Sequence, residues 1–192
     1  MAVLIAGLIV FLGAHSMRLA ADPWRTRQVA ALGPIRWKIL VSLVSAVGLV
    51  LLVWGFSLAR VNAPLLWSLP HWTRRITMLL VLVAFVLVAA AYVPGTRIKA
   101  ATGHPMTLGV KTWALAHLLS NGSLADVLLF GSFLAWSVAV FAVARRRDRA
   151  AGTPRPAGNL GRDAIALVVG ALAWWVFAAH LHEWLIGVRP LA

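Results

Sequence analysis

Five stretches of almost uninterrupted apolar residues dominate the sequence, each about as long as the hydrocarbon core of a bilayer is thick. A helix rises about 1.5 Å per residue and that core measures about 30 Å, so one crossing takes roughly 20 such residues. The runs cover residues 3–19, 37–59, 76–93, 125–144 and 164–188. With 18 basic and 5 acidic side chains among 192 residues, the chain lacks the charge to solvate a water-soluble domain of this size. It is therefore read as all-α, a polytopic transmembrane helical bundle that forms one integral membrane domain over residues 1–192. The first run has no basic segment before it and no small-residue cleavage site after it, so it is expected to persist as a span.

A sixth stretch, residues 107–119, is short for a crossing and contains Lys111 and His117. The distribution of charge decides its role. With six crossings, of the 18 Lys and Arg only Arg60, Arg74, Arg75 and Arg189 fall on one face. With five, the tract from Arg145 to Arg162 and Arg189 change sides and the division becomes even. The positive-inside rule thus favours about six spans, with the N-terminus outside and the basic loops cytoplasmic. The net charge of +13 would suggest nucleic acid in a soluble protein. Here the basic residues punctuate apolar runs, so membrane lipid and not nucleic acid is the expected partner.

Local signals refine this outline. Pro105 suits a first helical turn, where its missing N–H costs nothing. Asn121-Gly122 reads as a helix stop, and Ser123 with Asp126 has capping-box spacing, so the fourth and fifth spans should form a tight hairpin. Lys111 should snorkel to the inner surface. The segment from Arg145 to Arg162, rich in Gly and Pro, reads as a solvated loop. Trp24, Trp37, Trp67, Trp72 and Trp184 lie near the expected interfaces, as belt residues do.

Ionisable residues inside spans are costly, which makes the histidines informative. His15 falls in the first span, His117 in the fourth, and His180, His182 and Glu183 near the outer end of the sixth. His104 stands at the inner mouth of the fourth, and His71 in an outer loop. The chain has no cysteine, which excludes disulfides, a thiolate haem ligand and covalent attachment through Cys-x-x-Cys-His. Imidazoles from two helices remain able to hold the iron of a b-type haem. Measured from the inner face, His15 lies at about 8 Å, His117 at about 15 Å and His180 at about 25 Å, so His15 and His117 are the better matched pair. Arg18 shares a helix face with His15 and would suit a propionate. His180 and Glu183 also share a face, with His182 turned roughly opposite.

These residues carry a resemblance. Gly103-His104-Pro105-Met106-Thr107-Leu108-Gly109, continued through Trp113-Ala114-Leu115-Ala116-His117-Leu118-Leu119-Ser120-Asn121-Gly122 to Leu129-Phe130-Gly131, resembles the NnrU family. Leu12-Gly13-Ala14-His15-Ser16 and His182-Glu183-Trp184-Leu185-Ile186-Gly187-Val188 extend the likeness over nearly the whole chain. The resemblance implies a bacterial inner-membrane protein connected with nitrogen-oxide metabolism in denitrifying bacteria. The family is similar to plant 15-cis-zeta-carotene isomerase, which uses b-type haem with histidine ligation. That likeness implies haem ligation by His15 and His117, with His104 and His180 as reserve ligands, and an apolar small-molecule substrate. Family members usually carry Arg before His-Pro, where this chain has Gly103, so Arg97 or Lys99 is expected to supply that charge if it is needed.

Two other readings stay open on the residues alone. The His-Pro-Met-x-x-Gly block also resembles part of the signature of S-adenosylmethionine-dependent membrane methyltransferases, with His104, Pro105 and Gly109 at the cofactor and Glu183 as a later acidic group. The third reading is an accessory membrane protein without a cofactor. Gly48, Gly131 and Ala135 permit close helix approach, which serves internal packing and oligomerisation equally well.

Overall fold

The computed structural model describes residues 1–191 and is an all-α helical bundle. Helix α1 spans Ala2–Ala20, α2 Asp22–Leu32 and α3 Pro34–Val61. After an irregular segment come α4 (Thr73–Tyr92), the short α5 (Arg97–Thr102) and α6 (Pro105–Leu118). Two long helices, α7 (Leu124–Ala150) and α8 (Leu160–Ile186), complete the chain. By length and composition α1, α3, α4, α7 and α8 are able to cross a membrane.

Helix α6 has 14 residues, about 21 Å of rise, less than a full hydrocarbon core. It nonetheless joins opposite ends of the bundle. At its start, His104 lies 3.0 Å from Asp148 near the C-terminal end of α7. At its end, the turn into α7 is tied to the loop after α3: Leu66 N–H donates to the Gly122 carbonyl at 2.8 Å, and Leu124 N–H to that of Pro64 at 2.9 Å. The expected capping box is present, with Ser123 and Asp126 each bonded to the other's backbone N–H. The α6–α7 hairpin follows.

The α1–α3 pair shows how small residues set helix separation. Gly7 abuts the backbone of Leu51 and Leu52, Gly48 that of Phe11, and Gly55 that of Val3 and Leu4. A Cβ at Gly48 would stand 2.8 Å from the Phe11 nitrogen, closer than atoms pack, so glycine is what lets these backbones touch. Leu4, Leu8, Leu52, Phe56, Ala59 and Ala125 form the buried cluster around this contact.

The two ends differ in chemistry. The basic end gathers the α1–α2–α3 corner, the segment from Val93 to His104 and the loop between α7 and α8. The far end gathers the loop between α3 and α4, the α6–α7 turn and the residues after α8. Several expectations change here. Helix α7 outruns its apolar stretch by more than a turn, because arginines are good helix formers and their heads reach water from any exposed face. The loop after α7 is exposed almost throughout, as expected of a solvated loop, but its end is pinned: Asn159 N–H donates to the Gly95 carbonyl at 2.9 Å, and Gly158 sits against the backbone of Thr96 and Arg97. Lys111 places its ammonium 5.0 Å from the centre of the Phe141 ring, which attracts it as a cation–π partner. Trp37 is buried, its ring edge-on to Trp24 at 5.8 Å, whereas Trp24, Trp67, Trp72 and Trp184 are exposed.

Candidate functional site

Two adjoining cavities of about 210 and 370 Å³ lie among α3, α4, α6, α7 and α8 at the far end. Trp113, His117, Asn121, Phe177, His182 and Val188 line both. Helix α4 adds Thr77, Met78, Val81 and Phe85 to one wall, and α3 adds Phe56 and Arg60 to the other. Together they fall in the range of about 300–1,000 Å³ typical of small-molecule sites.

The backbone is irregular where it borders this space. Val127–Gly131 of α7 and Phe177–Leu181 of α8 are π-helical turns. They present Leu129 and Phe130 from one side and Phe177 and Ala178 from the other. A π-turn inserts a residue into the helical ladder and re-aims the side chains around it, a device often found at functional sites.

Two histidines share these walls. The Nδ1–H of His117 donates to the Trp113 carbonyl at 2.9 Å, and its ring stacks on Phe130 with centroids 4.5 Å apart. Asn121 donates through Nδ2 to the His117 carbonyl at 2.9 Å, which fixes the last turn of α6. The Nδ1–H of His182 donates to the Val188 carbonyl at 2.8 Å, and its ring meets Phe177 edge-on at 5.9 Å. In both rings a backbone carbonyl holds the proton on Nδ1 and leaves the Nε2 lone pair available, as in metal-binding imidazoles. A further polar atom is uncommitted: the indole N–H of Trp174, a wall residue, is buried and has no hydrogen-bond partner. At the mouth, Arg60 donates to the Ile186 carbonyl at 2.6 Å, and Arg189 pairs with Glu183 at 2.7 Å. The hydrogen bond and charge of Glu183 raise the Arg189 pKa. Arg74 also lines the space.

The histidines singled out in the sequence are dispersed. The Nδ1–H of His15 donates to the Phe11 carbonyl at 2.7 Å, and its ring packs on Phe11 at 4.4 Å and edge-on to Trp136 at 6.2 Å. Phe11 touches Phe133, Phe133 touches Trp113, and Trp113 touches His117. A chain of ring contacts through Phe11, Phe133 and Trp113 thus connects His15 to His117. Trp136, beside His15, is six residues along α7 from Phe130, beside His117, a separation of about 9 Å in depth. His15 lines neither cavity. The fold brings His117 together with His182.

Arg18 is exposed at the basic end, where its carbonyl accepts from Arg147 at 2.9 Å. His104 bonds to Asp148, and Arg155 shares that carboxylate. His180 is exposed on α8, edge-on to Trp175 at 5.8 Å, and does not line the cavities. His71 is exposed, as a loop histidine is expected to be. His104 and Glu183 occupy opposite ends of the bundle, so the pocket a methyltransferase would build from both is not assembled.

The cavity residues that the sequence did not single out are His182 and Trp174. His182 was visible within the His-Glu-Trp block, and helical spacing correctly turns it away from His180. The inward-facing one is His182. Nothing in the sequence marks Trp174 apart from the other tryptophans.

Among the described residues no three His, Asp or Glu are grouped to hold a metal ion by themselves. A b-type haem needs only one or two imidazoles, because the porphyrin supplies the other donors. The far-end cavity meets that requirement, with two available Nε2 atoms, aromatic walls, an unpartnered N–H and arginines at the mouth. His15, the other expected ligand, lines neither cavity.

A polytopic helical membrane protein with a two-histidine aromatic cavity is the class these features define. The family model described as NnrU protein matches residues 3–190, and the chain belongs to the NnrU family. Neither a curated protein nor a solved structure matches the chain.

Proposed function

We propose that this NnrU-family chain is a haem b protein of the bacterial inner membrane, with His117 and His182 holding the iron in the far-end cavity. The observation that carries this reading is the pair of imidazoles, from α6 and α8, that line both cavities, each with Nδ1–H tied to a backbone carbonyl and Nε2 left as a donor to metal. Haem would supply a Lewis-acidic, redox-active iron beside an apolar space. The protein's own part is to orient the imidazoles, to surround them with Phe85, Phe130, Trp113 and Phe177, and to keep bulk water out. Arg60, Arg74 and Arg189 at the mouth suit propionates.

The apolar walls favour a small hydrophobic substrate, and the reaction class that suits it is isomerisation of a double bond within the membrane. The implied role in nitrogen-oxide metabolism would use the same site, and there one of the two imidazoles would have to give way to nitric oxide. The basic end lies in the cytoplasm and the far end in the periplasm by the positive-inside rule. The test is the absorption spectrum of the chain purified after haem-replete expression. A Soret band with near one haem per chain supports the reading, and its spectrum should shift when nitric oxide is added. No Soret band, or haem removed by mild detergent washing, contradicts it.

A further inference from the structure

At the opposite end of the bundle, two guanidinium groups converge on the backbone that precedes α6. Gly103 has φ +75, and a Cβ there would stand 2.8 Å from Nη2 of Arg155 and 3.5 Å from Nη1 of Arg145. Glycine at this position is what leaves room for both. The Lys99 ammonium does not occupy the space, since it donates to the Ala91 carbonyl. Arg155 arrives from the loop between α7 and α8, held by the Asp148 carboxylate at 3.3 Å and the Ala101 carbonyl at 3.5 Å. His104 Nε2 lies 3.0 Å from the same Asp148 oxygen.

One carboxylate therefore serves this cluster, and it does not satisfy all of it. Nη1 of Arg145 is buried without a hydrogen-bond partner. A buried N–H of a charged group left without an acceptor is costly and rare in folded proteins. The missing partner is an anion, and its geometry follows from the donors. Two guanidinium forks, already splayed around Gly103, match several oxygens spread tetrahedrally on one atom better than the two coplanar oxygens of a second carboxylate.

We infer that Gly103, His104, Arg145 and Arg155 form a binding site for a phosphate group at the basic end, independent of the far-end cavity. The phosphate comes from a phospholipid headgroup at the membrane surface or from a soluble phosphate. Basic pockets between helices at a cytoplasmic face favour such headgroups.

The purified full chain in neutral detergent is titrated calorimetrically with inorganic phosphate and with dioctanoyl phosphatidylglycerol, with dioctanoylglycerol as the headgroup-free control. The chain should bind one equivalent of phosphatidylglycerol and none of the control. Binding of inorganic phosphate as well identifies a site open to soluble phosphate, and binding of the lipid alone identifies a headgroup site. Arg145→Gln and Arg155→Gln should each weaken binding about tenfold or more, the loss expected for a charge-assisted hydrogen bond. Arg149→Gln removes the same charge from an exposed position on α7 and should change it less than about twofold. Should Arg145→Gln fail to fold, Arg155→Gln decides alone, because its residue lies in a surface loop. Binding of neither phosphate probe, or equal weakening in all three variants, overturns the site.

Discussion

The α1–α3 pair and the far-end cavity are both built from apolar helices, yet one is packed to backbone contact and the other is hollow. The difference lies in side-chain size at the interface. Gly7, Gly48 and Gly55 remove the side chains that would hold α1 and α3 apart. Around the cavity, Trp113, Phe130, Phe177 and Phe85 keep the helices apart, and rigid rings leave space between them that they do not fill. Apolar character inserts a helix into a membrane, and residue volume decides whether its neighbour touches it or leaves a site.

The largest effect should come from breaking the tight pair. Gly55→Leu drives a side chain into the Leu4 backbone and should destabilise the chain by about 3 kcal/mol or more, read as a lower thermal midpoint in detergent. A midpoint within a degree of the parent would mean the contact is not tight. On the hollow side, Trp174→Phe removes an unpaired buried N–H while keeping an aromatic ring. The ligand-free chain should gain about 1 kcal/mol. With haem bound that gain should shrink if the N–H meets the ligand, so comparing the two midpoints sharpens the role of this wall.

Ser123→Ala opens the capping box that sets the α6–α7 hairpin and should cost about 1 kcal/mol. An unchanged unfolding curve would show that the loop contacts through Gly122 suffice. The smallest effect belongs to Gly13→Ala on α1. A Cβ there meets nothing within 4 Å, so the change should be neutral or stabilising by less than about 1 kcal/mol. Destabilisation would reveal a neighbour on that face.

Much of this architecture was legible in the sequence, and the reasons are physical. Long apolar runs report bilayer thickness directly, and the five of them stand as helices long and apolar enough to cross a membrane, while α6 is shorter. The Ser123–Asp126 box is a local signal and stands where its spacing put it. The π-turns were not legible, because they arise from packing between helices and not from local propensity. The same cause hid the place of His182 on the cavity wall. Depth estimates matched His15 with His117, but depth does not report which way a ring faces or what stands between two rings. His15 and His117 connect only through contacts that run by way of Phe11, Phe133 and Trp113. The phase of α8 shifts through its π-turn, and His182, set aside by its opposition to His180, is the one that lines the cavity.

The most direct test is the Soret spectrum of three single variants, His117→Ala, His182→Ala and His15→Ala, purified alongside the parent. Haem held at the far-end cavity predicts a band lost in His117→Ala, lost or strongly shifted in His182→Ala, and retained unchanged in His15→Ala. A band that survives in His182→Ala and disappears in His15→Ala would contradict it.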